Sequence, residues 1–214
     1  MAKKSRTPPP PRPVQAPRRR ESTTGGGWSK RTLGIAAAVV VAVGIAIGLG
    51  VALTGGGGGG GDPTKKLAAA GCTLKTYPDQ GRAHVQSLEA KVNYNSFPPT
   101  SGPHYFEPAI WGAYDQPLVL VQEVHNLEHG GVTIQYGSGV SQSTVVELRD
   151  FYNDSPNGLL LAPLPKLGDK IALTAWTHLA TCTGFDKSAF AAFRSAYRGK
   201  GPERFPVSAL TPGS

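Results

Sequence analysis

The run from Leu33 to Leu53, LGIAAAVVVAVGIAIGLGVAL, holds no charged or strongly polar side chain, and it constrains the chain more than any other feature. As a helix it would rise about 30 Å at ~1.5 Å per residue, the thickness of a bilayer hydrocarbon core. A soluble helix of that length keeps a polar face unless a large protein encloses it. A cleaved signal peptide has a shorter apolar core of about 7–15 residues and a small-residue cleavage pattern after it. Here residues 1–32 precede the run and no clear A-x-A pattern follows Val51. Residues 33–53 therefore predict one uncleaved transmembrane helix, with the lipid bilayer as a partner.

The formal net charge of +8 lies wholly before this helix. Residues 1–32 hold nine Lys/Arg and one Glu, whereas residues 62–214 hold thirteen Lys/Arg and thirteen Asp/Glu. The C-terminal region has no basic bias, which removes the main argument for a nucleic-acid partner. Arg18, Arg19, Arg20, Lys30 and Arg31 flank the apolar run on its N-terminal side. Beyond it come Gly55–Gly61, Asp62, and only then Lys65 and Lys66. The larger positive cluster stays cytoplasmic, so the chain reads as a single-pass cell-membrane protein with an extracytoplasmic C-terminal domain. Residues 1–32 have almost nothing to bury and read as a disordered basic tail, held near anionic lipid by charge. The polyglycine run formally contains GxGxxG, but it neither follows a strand nor opens a helix, so no nucleotide cofactor is expected. It reads instead as part of a flexible linker over 54–71.

What remains, 72–210, has the length of one ordinary domain. Thr144-Val145-Val146-Glu147 matches a capping box, with Val145, Leu148, Phe151 and Tyr152 on one face. Asp186 is placed to cap a second helix that buries Phe190, Phe193 and Tyr197 and stops at Gly199. Strands are expected at 117–124, 131–136 and 170–177, with shorter pieces near 83–88 and 90–94. Residues 95–117, rich in Pro, Gly, Ser and Asn, predict a long ordered loop, and such loops are often functional. Its Tyr105, Phe106, Trp111 and Tyr114 form either an aromatic wall or the loop's own packing. The expected fold class is α+β: one compact outer domain with a small mixed sheet and at least two helices, preceded by a single transmembrane helix. Cys72 and Cys182 are the only cysteines. In an oxidising compartment, and without CxxC spacing, they predict one structural disulfide.

Five histidines are present: His84, His104, His125, His129 and His178. His125 and His129 lie four apart in VHNLEHGG, so they share a face in a helix or in a strand. Glu128 joins them only in the helical case. His104 ends PPTSGPH, where prolines restrict the backbone, and His84 follows Gly81-Arg82-Ala83. Neutral imidazole is the commonest metal-ligand side chain, and several converging would suit copper or zinc.

GRAHV at 81–85, PPTSGPH at 98–104, VHNLEHGGV at 124–132, APLP at 162–165, ALTAW at 172–176 and GPE at 201–203 together resemble the bacterial family known as domain of unknown function 3105. The resemblance covers most of residues 72–205. It implies a membrane-anchored outer domain and no established activity. Three readings follow. In the first, His84, His104, His125 and His129 bind a transition metal. In the second, the domain is a non-metal envelope binding or scaffold module with a protein partner, its histidines bracing loops. In the third, the metal is catalytic, with Glu128 as general base of a hydrolase, because His-Asn-Leu-Glu-His matches H-x-x-E-H. That pattern needs a longer helix and a distant carboxylate, while Gly130 and Gly131 stop the helix at once. No nucleophile elbow is present, so the sequence alone makes no firm enzyme assignment.

Overall fold

A computed structural model describes residues 62–214. The expected tail, the transmembrane span and the whole glycine run lie outside the described residues. Among the described residues no helix is long and apolar enough to cross a membrane.

The stretch read as linker ends in a helix. Asp62 accepts a hydrogen bond from the Thr64 amide at 3.0 Å, and Pro63 occupies the first turn of α1, Pro63–Ala69. Proline suits that position because its missing N–H would have no helical partner there. β1, Cys72–Thr76, follows at once. It lies at the edge of a six-stranded mixed sheet whose other members are β4 (Gly112–Ala113), β5 (Val132–Tyr136), β6 (Leu159–Pro163), β7 (Ile171–Ala175) and β8 (His178–Cys182). Their spatial order is β1-β8-β7-β5-β6-β4. The pairs β1–β8, β8–β7 and β7–β5 are antiparallel, and β5–β6 and β6–β4 are parallel. A separate parallel pair joins β2, His84–Val85, to β3, His104–Tyr105.

Alternation along the strands divides the sheet into two unlike faces. Val132, Ile134, Leu159, Leu161, Ile171, Leu173, Ala180 and Cys182 point to one side, where they meet Leu67 of α1, Leu148 and Phe151 of α3 (Gln142–Asn153), and Phe190 and Phe193 of α4 (Lys187–Tyr197). This is the main core. The opposite side carries Thr133, Gln135 and Thr174, all fully buried. It is covered by α2 (Leu120–Glu128) and the long segment before it. A smaller apolar cluster of Ala109, Trp111, Leu160 and Leu210 closes that layer at the β4–β6 end. Trp111 and Tyr114 thus pack within the domain, while Phe106 stays exposed.

The α+β class, the mixed sheet and both expected helices are present, with Asp186 capping α4 through the Ala189 amide at 2.7 Å. The disulfide Cys72–Cys182 is formed, joining residues that face each other across β1 and β8. Three expectations are corrected. Residues 117–124 are not a strand: from Leu120 they are helical, and Val121, Val124 and Leu127 form the buried stripe of α2. α3 begins a turn before the expected capping box, because Ser141 supplies the cap by accepting from the Thr144 amide at 3.2 Å. The piece near 90–94 forms no strand.

Candidate metal centre

Three separated stretches of chain deliver the cluster. β2 and β3 pair in register His84↔His104, which places the two imidazoles side by side. α2 brings His125 and Glu128, three apart and therefore neighbours on the helix surface. Gly130, with φ of +90°, turns the chain away directly after the helix. Gly131 could not carry a side chain, since a Cβ there would lie 2.4 Å from the Trp111 ring.

The loop before β3 is held from several directions. Thr100 and Ser101 are fully buried. The Thr177 amide donates to the Thr100 carbonyl at 3.0 Å, the Gln80 amide to Ser101 Oγ at 3.2 Å, and the Tyr94 hydroxyl to the Pro103 carbonyl at 2.7 Å. This frame fixes His104, which has no solvent exposure. The ring centroids of His84, His104 and His125 form a nearly equilateral triangle with sides of 4.9 to 5.1 Å.

Hydrogen bonding selects the tautomers. His104 Nδ1 lies 2.8 Å from the Gly102 carbonyl, and His125 Nδ1 lies 2.8 Å from the Tyr105 carbonyl. A carbonyl only accepts, so each Nδ1 carries the proton and each Nε2 presents a lone pair when the ring is neutral. Burial pushes the His125 pKa down to about 4, with the neighbouring imidazoles adding to the effect against the Tyr105 hydrogen bond. His125 is therefore neutral at neutral pH. His104 Nε2 meets Glu128 Oε2 at 3.0 Å, and His84 Nε2 lies 3.9 Å from the same oxygen. A neutral imidazole lone pair and a carboxylate at 3.0 Å repel each other unless a proton or a metal cation lies between them.

One ligand atom from each of His84, His104, His125 and Glu128 falls within 4.8 Å of all the others. Around a tetrahedral ion with ligand bonds of about 2.0–2.1 Å, neighbouring ligand atoms stand roughly 3.4 Å apart. The 3.0 and 3.9 Å separations bracket that spacing. The 4.8 Å limit exceeds that spacing by roughly 1.4 Å, and His84, whose side chain is 46% exposed on a two-residue strand, has room to move. The donors present could hold a metal ion.

His129 is not in this group. It ends α2 beside the cluster, 4.5 Å from the His125 ring between centroids, but its Nε2 pairs with Glu203 Oε2 at 3.0 Å and its ring rests on Phe205. The segment bearing Glu203 is clamped to the helix end: the Gly199 amide donates to the Gly130 carbonyl at 2.7 Å, and the Glu203 amide to the Glu128 carbonyl at 3.2 Å. Burial lowers the His129 pKa, and Glu203 and Glu128 oppose that. His178 lies apart on β8, with Nδ1 at 2.8 Å from the Trp176 carbonyl and its ring against Tyr197. Sequence reasoning joined Glu128 to the histidines only in the helical case and cast it as a general base; it stands among the converging donors. Its spacing of three from His125 was the available signal.

Beneath α2 lies a second polar group. Glu123 is fully buried, accepts from Gln135 Nε2 at 2.8 Å, and has its pKa pushed up by burial to about 8. Its Oε1, Gln135 Oε1, Thr133 Oγ1 and Thr174 Oγ1 have no hydrogen-bond partner among the described residues. A protonated Glu123 supplies a donor that the ionised form lacks.

Fold and site together define a class: an α+β domain that holds three imidazoles and one carboxylate around a common centre beside a mixed sheet. The chain belongs to the family described as protein of unknown function (DUF3105), whose model matches residues 84–208. That match takes in all four converging side chains as well as His129 and Glu203. No curated protein and no solved structure matches the chain.

Proposed function

We propose that this is a membrane-tethered, extracytoplasmic metal-binding module in which His84, His104, His125 and Glu128 hold one divalent transition-metal ion. The observation that carries the reading is the 3.0 Å approach of His104 Nε2 to Glu128 Oε2 with His104 Nδ1 already turned to a carbonyl. The donor chemistry narrows the metal. Three imidazoles and a carboxylate suit zinc or another first-row divalent ion, whereas Cu(I) prefers thiolate and thioether sulfur. The carbonyls of Gly102 and Tyr105 act as the outer shell that orients metal-bound histidines.

The setting rests on the apolar run at 33–53, the positive charge before it, and the Cys72–Cys182 disulfide, which suits an oxidising compartment. Residues 1–32 would lie in the cytoplasm as a tail, and the domain from Cys72 onward would lie outside.

The test is metal analysis of the full chain purified in detergent after exposure to zinc. About one equivalent is expected, falling below a tenth for His104→Ala and His125→Ala, because a four-ligand site cannot spare a buried donor. His129→Ala should keep its zinc. Wild-type protein that retains no ion under these conditions would overturn the reading.

A second reading is favoured by the same contact. His104 protonated against Glu128, with Arg82 Nε 3.8 Å from Glu128 Oε1, makes a buried ion pair that braces the loop frame for a protein partner. In that case zinc has no effect and the histidine variants fail through lost stability. The hydrolase reading loses its general base, since Glu128 faces the same centre as the imidazoles and is not set back from it.

A further inference from the structure

We propose that the bound ion keeps a coordination position for a small oxyanion, a carboxylate or a phosphate, and that Arg82 clamps it there. The inference rests on the metal reading above and names what that site takes up.

Access comes first. The cluster is closed on the side of His104 and Glu128, whose side chains are 0% and 3% exposed, and open on the side of His84 and Arg82, at 46% and 53%. A ligand arriving from solvent meets the ion along the second side. Arg82 is two residues before His84, so in extended chain the two side chains share a direction. Both project toward the same Glu128 carboxylate, at 3.8 and 3.9 Å.

Arg82 is also underemployed. Its Nε stands outside hydrogen-bonding distance of Glu128, it donates no hydrogen bond among the described residues, and no other carboxylate there pairs with it. Its five N–H donors form a planar fork open to solvent beside the cluster.

Charge then decides what that fork takes up. A divalent ion bound by three neutral imidazoles and one carboxylate leaves one positive charge at the centre. Arg82 adds another within a few ångströms, on the side that solvent reaches. An oxyanion resolves both problems. One oxygen fills the position that a four-ligand ion can open by expanding its coordination, and its other oxygens accept from the guanidinium in the bidentate geometry arginine favours. Water would fill the coordination position but bring no negative charge to offset the ion and the arginine.

The experiment uses the full chain in detergent loaded with Co2+, whose visible absorption reports coordination directly. Inorganic phosphate and acetate are titrated in separate arms. A saturable change in the cobalt spectrum is expected for at least one anion, and the tighter one names the class. Arg82→Gln should weaken that binding by at least about tenfold, as for a lost charge-assisted hydrogen bond, while cobalt affinity is equal or higher. Arg82→Lys should recover part of the loss, since it restores the charge without the fork. Cobalt bound with a spectrum that neither anion alters, or equal anion affinity in Arg82→Gln, overturns this inference and leaves the metal reading standing. Failure to take up cobalt at all overturns both.

Discussion

His104 is sealed from solvent with its two ring nitrogens facing two acceptors, Gly102 carbonyl and Glu128 carboxylate. Only a cation between His104 and Glu128, whether proton or metal, makes the arrangement stable. The two choices give different forecasts for Glu128→Gln. If the cation is a metal, zinc raises the denaturant midpoint of the wild type, and Glu128→Gln loses that increment together with the ion. If the cation is a proton, zinc moves neither midpoint, and the substitution breaks a buried ion pair at a cost of about 3–5 kcal/mol. Chemical denaturation of both proteins with zinc and with chelator separates these outcomes. At this scale the sequence was informative about residue types and incomplete about partners. His84, His104 and His125 were legible because each sits in a rigid or patterned context. The separation of His129 from the group was not, since Glu203 reaches it only by folding back from far along the chain.

α2 shows why one element was misread. PLVLVQEV offers the β-branched and aliphatic density of a strand, and Val119 at the helix start makes no side-chain capping bond, so the usual start signal is missing. What makes it a helix is burial on more than one side. Val121, Val124 and Leu127 recur at helical spacing against the sheet and loop, and Glu123, Asn126 and Glu128 are also buried, each with polar partners. The stop was readable in Gly130-Gly131. β1, β6 and β8 escaped notice because short apolar runs beside Gly, Pro or Cys carry too little alternation to separate strand from loop. The helix end owes its position to Gly201, where a Cβ would come within 2.2 Å of the Glu128 carbonyl oxygen. Gly201→Ala should therefore force the 199–203 segment off α2. The expected cost is about 1–3 kcal/mol, the usual range for overpacking, with zinc occupancy falling although no ligand is altered. Denaturation and metal analysis of one preparation check both effects.

The described domain is a sheet with an apolar face and a polar one. α1, α3 and α4 cover the apolar face, while α2 and the loops that bear the converging imidazoles and Glu128 cover the polar one. The class of fold was readable from helical caps and strand composition, but the strand order was not, because β5 and β6 pair in parallel across an intervening α3 and no local signal encodes that. The disulfide spans 110 residues of sequence. In the chain-entropy account a loop of that size contributes about 4–5 kcal/mol, so the double variant Cys72→Ser, Cys182→Ser should lose stability of that order in denaturant titration. The bridge also has a mechanical consequence. A pull entering through α1 and resisted along β8 crosses directly from one sulfur to the other. That covalent path bypasses the enclosed chain, with Arg82 and every converging donor inside it, and only a pull on 199–203, hydrogen-bonded to the end of α2, bears on the centre.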